Sequence, residues 1–468
     1  MPFLSLWFYI AVVVLLVLYY AVPIKVRWVI LLAGSLGLYY CFSGRGLLVL
    51  LFSVFAGFWT GLLLGRVKRK KIFLALGIGA VLLPWLAGRF LYVGRQSILQ
   101  AVGISYFTLQ LIAYMADVYR GEVQPERNPA KFALFVTFFP QIVQGPIPRY
   151  GQLGQQFFEK AVFREDKFTR GFQWILWGFF LKLMIADRTG IIVDRIFDNW
   201  EIYTGSYVLL GGVLYSIQLY TDFMACVYMA KGIASMFGIE LADNFRRPYF
   251  SGSVREFWGR WHISLSSWLK DYIYIPLGGN RKGKLRKWIN LLAVFLVSGI
   301  WHGAGAKYIA WGLLHALYQI AGEITKGIRK KGYMLLKIED KSFLAGILQK
   351  GSTYLLVMLA WVLFRAASLK VGLKMLGSLF TVYNPWILLN DSLFELGLDI
   401  KECMLLLLSV LLLFAVSWKG RTKEVGNWLM KQHLILRWTV YIGGILLIVV
   451  YGTYGFGFDA QDFIYGGF

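Results

Sequence analysis

Cysteine and histidine are scarce in this 468-residue chain, with three of the first and four of the second. Cys41, Cys226 and Cys403 are scattered through apolar context with no Cys-x-x-Cys pair. That excludes a zinc ribbon, any other metal centre built on cysteine, and a disulfide framework, and it reads as packing. Acidic residues are also few, 25 against 49 lysines and arginines, leaving a net charge of +24. A basic excess of that size suits nucleic acid when it covers one face or stripe. Here it falls in short clusters between apolar runs: Arg66–Lys71, Arg281–Lys287, Lys326–Lys331 and Lys419–Lys423. Such spacing is the positive-inside pattern of membrane proteins and excludes nucleic acid as a partner.

What the chain has in abundance is apolar surface, 58% hydrophobic and 17% aromatic residues. Leu4–Ala21, Trp28–Cys41, Leu47–Leu64 and Met404–Val416 carry no charge. A span needs roughly 20 apolar residues to cross a core about 30 Å thick. These runs predict an all-α polytopic membrane protein, with 1–468 as one integrated membrane domain. The first run lacks the basic start and small-residue cleavage site of a signal peptide, so it reads as a retained span.

Taking the basic clusters as cytoplasmic predicts about twelve crossings plus two re-entrant or interfacial segments, with both termini extracytoplasmic. Arg89 and Arg95 fall outside in this scheme, against the bias. The apolar stretch Phe132–Val143 lies between two basic regions and should dip in and return. Pro140, Gly145 and Pro146 suit such a break, because they cannot sustain a straight helix. No internal repeat at a fixed period is visible.

Two of the four histidines follow a tryptophan: Trp261-His262 and Trp301-His302. An ionisable residue within a span is a functional candidate, and histidine exchanges protons near neutral pH. Around His262, the segment Val254–Ile275 interleaves Arg255, Glu256, Arg260, Ser264, Lys270 and Asp271 with Trp258, Trp261, Leu265, Trp268 and Leu269. The spacing predicts one amphipathic helix starting and ending on the cytoplasmic side. It suits an interfacial helix with its aromatics at headgroup level and an active-site segment equally. The run Pro276-Leu277-Gly278-Gly279-Asn280-Arg281 is a turn, read either as an anion-binding loop or as a plain positive-inside loop. His302 lies fourteen residues beyond Trp288, roughly 21 Å along a helix, which places it in the middle or outer part of the membrane. Gly299, Gly303 and Gly305 leave room beside it for close helix packing or for a substrate. His315 follows on the next helix and reads as a packing residue, and His433 reads as solvated.

Phe257-Trp258-Gly259-Arg260-Trp261-His262-Ile263-Ser264-Leu265-Ser266, then Tyr274-Ile275-Pro276-Leu277-Gly278-Gly279-Asn280-Arg281, then Trp301-His302-Gly303 resemble the signature of the membrane-bound O-acyltransferase family. Gly103–Phe107, Asp117–Gly121, Phe138–Gln141 with Gly145-Pro146, and Asp243-Asn244-Phe245 agree with it. The bacterial alginate O-acetyltransferase-like branch is the most similar. The related D-alanyl transferase of teichoic acid modification shares the Arg-Trp-His and Trp-His pairs, but Pro276–Arg281 points away from it. After Asp222 the branch's second acidic position is Tyr228 here, which weakens any inference about the acceptor.

The resemblance implies helices around a central funnel with His302 at its base and His262 as the second functional histidine. It divides the domain into N-terminal helices 1–98, the family core 99–325 and C-terminal helices 326–468. The implied reaction moves an acetyl group from a cytosolic donor, acetyl-CoA, toward an envelope polysaccharide, through an extracytoplasmic SGNH-type acyltransferase. No bound cofactor or metal is implied; membrane lipid surrounds the chain in the cell (cytoplasmic) membrane. On this reading His302 is the general base or acyl carrier. His262 orients the thioester, Trp261 and Trp301 wall the path, and Arg260, Ser264, Asp271, Asn280 and Arg281 contact substrate. The rivals are D-alanyl transfer to teichoic acid, a lipid-linked sugar transporter, and a scaffold for a surface enzyme.

Overall fold

The computed structural model describes residues 2–93, 96–97, 101–159, 162–339, 342–418, 422–454 and 463. Arg95 and most of the basic cluster at 419–423 lie outside the described residues. The described chain is helical apart from a two-residue ladder pairing Tyr92–Val93 with Gln96–Ser97. It forms two compact units. The first comprises Met1–Gly178, Ala225–Asp243 and Gln461–Phe468; the second comprises Phe179–Met224 and Asn244–Ala460.

Among the described residues seven helices are long and apolar enough to cross a membrane: Ile24–Ser43, Gly46–Leu64, Lys70–Phe90, Ser206–Met236, Phe343–Arg365, Ile400–Trp418 and Leu434–Tyr451. The protein is therefore polytopic. The expected total of about twelve is not reached by length and composition. Leu6–Ala21 has 16 residues and Ile104–Arg120 has 17, and Gly283–His302 opens on Lys284, Arg286 and Lys287. Ile400–Trp418 and Leu434–Tyr451 bury only two side chains each, as helices facing hydrocarbon do.

In the first unit the expected break is present. Asn128 caps the helix Pro129–Thr137 by accepting from the N–H groups of Ala130 and Lys131 at 3.0 and 3.2 Å, with proline at the first helical position. The helix stops before Pro140, and Phe138–Ile147 continues as buried turns. Carbonyls freed at a helix end need donors when water is excluded. The Phe135 carbonyl accepts from the Gln110 and Gln141 side-chain amides at 2.7 and 3.2 Å.

In the second unit a π-helical stretch, Phe180–Ala186, runs directly into the helix Asp187–Asp198. The segment Val254–Ile275 departs from the single helix that its pattern predicts. It forms two seven-residue helices, Val254–Arg260 and Ile263–Leu269, followed by a π turn, Lys270–Tyr274. Trp258, Trp261 and Trp268 are buried in protein, not displayed at headgroup level. The pattern of apolar positions survives the break because each half keeps its own inward face.

Gly283–His302 and Ala306–Ile324 pair as an antiparallel hairpin within this unit. A Cβ on Gly299 would stand 2.5 Å from the Tyr308 carbonyl oxygen, and one on Gly312 would stand 2.2 Å from that of Phe295. Only glycine allows backbones to approach this closely.

Candidate active site

The site is built from the corner at which the two short helices meet. His262 occupies it with φ 45° and ψ 54°, a left-handed conformation uncommon for a side-chain-bearing residue. Such strain costs on the order of 1–3 kcal/mol and persists where surrounding bonds over-determine it. Asn244 supplies those bonds. Its backbone carbonyl accepts from the Ile263 N–H at 2.9 Å, while its side-chain Oδ1 accepts from the Ser264 N–H at 3.0 Å and the Ser264 hydroxyl at 2.9 Å. On the other side of the corner the Arg246 N–H donates to the Arg260 carbonyl at 2.9 Å. The corner is thus stitched to the strap Asn244–Arg247 on both flanks.

Neighbouring residues of the corner face different company. Trp261 stacks on Phe257 at 5.5 Å between centroids and meets Phe245 at 5.0 Å and Trp361 at 5.3 Å. His262, 1% exposed, stands edge-on to Phe223 at 4.8 Å and to Trp301 at 6.0 Å. His302, 2% exposed, is the last residue of its helix. Its ring is edge-on to Trp301 at 4.8 Å, Trp311 at 5.0 Å and Phe364 at 5.4 Å. One indole, that of Trp301, therefore packs on both histidines.

His315 extends the cluster: its ring lies 5.1 Å from Trp311, and its Nδ1 accepts from Trp258 Nε1 at 3.2 Å. A neutral imidazole accepting at Nδ1 carries its proton on Nε2. His433 is exposed at the start of the last helix.

The structure thus gathers Trp261, His262, Ser264, Trp301 and His302. The remaining sequence candidates sit elsewhere. Arg260 pairs with Glu256 at 2.5 Å. Together with Arg247, Lys350, Gln349, Phe250 and Trp418 these two residues line a half-open cleft of about 430 Å³. Asp271 is half-buried in the π turn, and Asn280 and Arg281 are exposed. Their turn is held by Asn290, whose Nδ2 donates to the Gly279 carbonyl at 2.8 Å and to that of Leu277 at 3.3 Å.

Sequence reading overlooked a buried ionic cluster. Lys182 Nζ lies 2.8 Å from Asp187 Oδ1 and 2.8 Å from Asp222 Oδ1, and both Lys182 and Asp222 are almost fully buried. Asp222 directly precedes Phe223, the ring that packs on His262. The available signal was three charges, Lys182, Asp187 and Arg188, within the otherwise apolar stretch 171–191. Among the described residues no group of three or more His, Cys, Asp or Glu side chains is disposed to hold a metal ion.

Apolar helices fit for a membrane, enclosing histidines walled by tryptophan, define a polytopic membrane protein with a buried candidate site for acid–base chemistry. A family model for the MBOAT, membrane-bound O-acyltransferase family, matches residues 72–335. The chain belongs to that family. It is 40% identical over 289 residues to the probable alginate O-acetylase AlgI of Pseudomonas syringae pv. tomato, covering 62% of this chain and 53% of that protein. It is 37% identical over 302 residues to the peptidoglycan O-acetyltransferase of Helicobacter pylori, covering 59% and 56%. It is 31% identical over 236 residues to the teichoic acid D-alanyltransferase of Bacillus subtilis, covering 47% and 58%. The matched stretches therefore span little more than half the length of these relatives.

Proposed function

We propose that this chain is a membrane O-acyltransferase that moves an acetyl group from acetyl-CoA in the cytosol across the membrane, for O-acetylation of a cell-envelope polysaccharide. The observation that carries the reading is the shared contact of His262 and His302 with Trp301 inside a buried aromatic shell. Two relatives named for O-acetylation of alginate and of peptidoglycan support the acetyl group and the envelope acceptor.

In this reading His302 takes the proton of an acceptor hydroxyl as that oxygen attacks the thioester carbonyl carbon. The C–S bond breaks, and the imidazolium returns the proton to the departing thiolate. Proton transfer of this kind contributes typically ~10²–10⁴ in rate. His262 orients the thioester from its strained corner, and Ser264 holds that corner through Asn244. Trp261 and Trp301 exclude water. Arg260, with Arg247 and Lys350 in the adjoining cleft, meets the phosphates of the donor, and Trp418 offers an aromatic face to its base. Asp271, Asn280 and Arg281 guide the donor on the same face. The chain lies in the cytoplasmic membrane with both termini extracytoplasmic, and passes the acetyl group to an SGNH-type acyltransferase outside.

Transfer of D-alanine is the second reading, favoured by the Bacillus subtilis relative. Purified protein in liposomes separates the readings. Acetyl-CoA outside and a sugar acceptor inside should yield acetylated sugar. Sugar movement without acetylation would indicate a transporter. Turnover of a D-alanyl thioester but not acetyl-CoA would indicate the second reading. Recruitment of the surface enzyme with both histidines replaced would indicate a scaffold.

A further inference from the structure

Buried helical hydroxyls in this chain ordinarily bond the carbonyl one turn back. Ser53 donates to Val49 at 2.9 Å, Thr137 to Ala133 at 2.8 Å, Ser216 to Gly212 at 2.8 Å and Thr353 to Gln349 at 2.8 Å. Ser298 is the exception that matters. It is fully buried inside the helix Gly283–His302, and its Oγ has no hydrogen-bond partner among the described residues. It stands four residues before His302, so the two side chains share one helix face, about 5–6 Å apart at Cβ.

A second orphan lies on the facing helix. Trp311 is fully buried, its ring is 5.0 Å from that of His302, and its Nε1–H has no partner among the described residues. A buried donor left unmade costs on the order of 1–3 kcal/mol. Two such donors beside one histidine mean that the fold holds unused hydrogen-bonding capacity at this point. The close approach of the two helices at Gly299 and Gly312 fixes both donors on rigid elements.

We propose that the Ser298 hydroxyl and the Trp311 indole N–H are the hydrogen-bond donors for the carbonyl oxygen of the transferred acyl group. This rests on the reading of His302 as the base. When the acceptor oxygen bonds to the carbonyl carbon, the C=O electron pair moves onto oxygen, and that oxyanion accepts from both donors. When the carbonyl re-forms, the C–S pair leaves with sulfur, which receives the proton held by His302. Acyl thioester and alcohol become ester and thiol, with no further reactant. Preorganised donors act on charge that develops only in the transition state, so their loss lowers kcat and leaves substrate affinity intact.

The test uses inverted membrane vesicles carrying the full chain, which retain native acceptor and partners and expose the cytosolic face. Radiolabelled acetyl-CoA is added, and base-labile label on envelope material is counted, for wild type, Ser298→Ala, Trp311→Phe and His302→Ala at matched protein level. Removing one such donor should lower kcat by ~10² with KM for acetyl-CoA unchanged. Both single variants should show this, with the unfolding midpoint in detergent kept. Ser298→Ala and Trp311→Phe at wild-type kcat, with His302→Ala inactive, would overturn the donor proposal alone. A raised KM at constant kcat would also overturn it, since that marks ordinary binding. His302→Ala at wild-type rate would overturn the reading beneath it.

Discussion

Asn244 holds Ser264 through a single oxygen, its Oδ1, which accepts from the Ser264 N–H at 3.0 Å and the Ser264 hydroxyl at 2.9 Å. His262 lies between the two flanks that this strap holds, so the clamp fixes the backbone from which the imidazole projects. Asn244→Ala removes the acceptor for two buried donors and should destabilise the protein by about 1–3 kcal/mol. Ser264→Ala removes one of the two bonds and should cost about 1 kcal/mol. Transfer should fall in both, more steeply in Asn244→Ala. Unfolding midpoints in detergent and acetyl transfer from the same preparations check this. An Asn244→Ala protein with unchanged midpoint and rate would show that the corner does not depend on the clamp.

The Lys182 cluster makes a different kind of prediction. Lys182→Met leaves Asp187 and Asp222 buried without their cation. Breaking a buried pair from one side costs about 3–5 kcal/mol, whereas replacing all members by apolar residues is often close to neutral. Lys182→Met should therefore lower the unfolding midpoint sharply. Replacing Lys182, Asp187 and Asp222 together by apolar residues should restore much of it. A single variant as stable as the wild type would contradict the ionic account of this segment.

Glycine substitutions along one hairpin should divide into two groups. Gly299→Ala and Gly312→Ala drive a methyl against backbone carbonyls, which cannot move aside, and both should be strongly destabilising. Gly322 lies on the same helix as Gly312 with nothing within 4 Å of an added Cβ. Gly322→Ala should be neutral or stabilise by roughly 0.5–1 kcal/mol through helix propensity. Thermal unfolding of the three variants checks the ordering, and equal midpoints would contradict the close backbone approach.

Much of this architecture was legible in the sequence, because hydrocarbon imposes a length and a composition on each span. The expected spans Trp28–Cys41, Leu47–Leu64 and Met404–Val416 correspond to the helices Ile24–Ser43, Gly46–Leu64 and Ile400–Trp418. The break near Pro140 was visible because proline cannot continue a helix. The corner at His262 was not. Nothing local forbids a helix through Trp261-His262-Ile263; the corner comes from Asn244, eighteen residues earlier, and a hydrogen bond over that distance leaves no periodic trace. For the same reason Lys182 went unnoticed: its partner Asp222 is forty residues away. Ser298 gave no signal either, since an unused hydroxyl is a property of packing and not of spacing.

In the proposed reaction His302 performs the proton transfer. Acetyl transfer from labelled acetyl-CoA should be compared between wild-type and His302→Ala protein in inverted vesicles, at equal membrane abundance and equal unfolding midpoint. Loss of the base should lower the rate by at least ~10², with donor binding retained. A His302→Ala protein that acetylates at the wild-type rate would show that His302 is not the base.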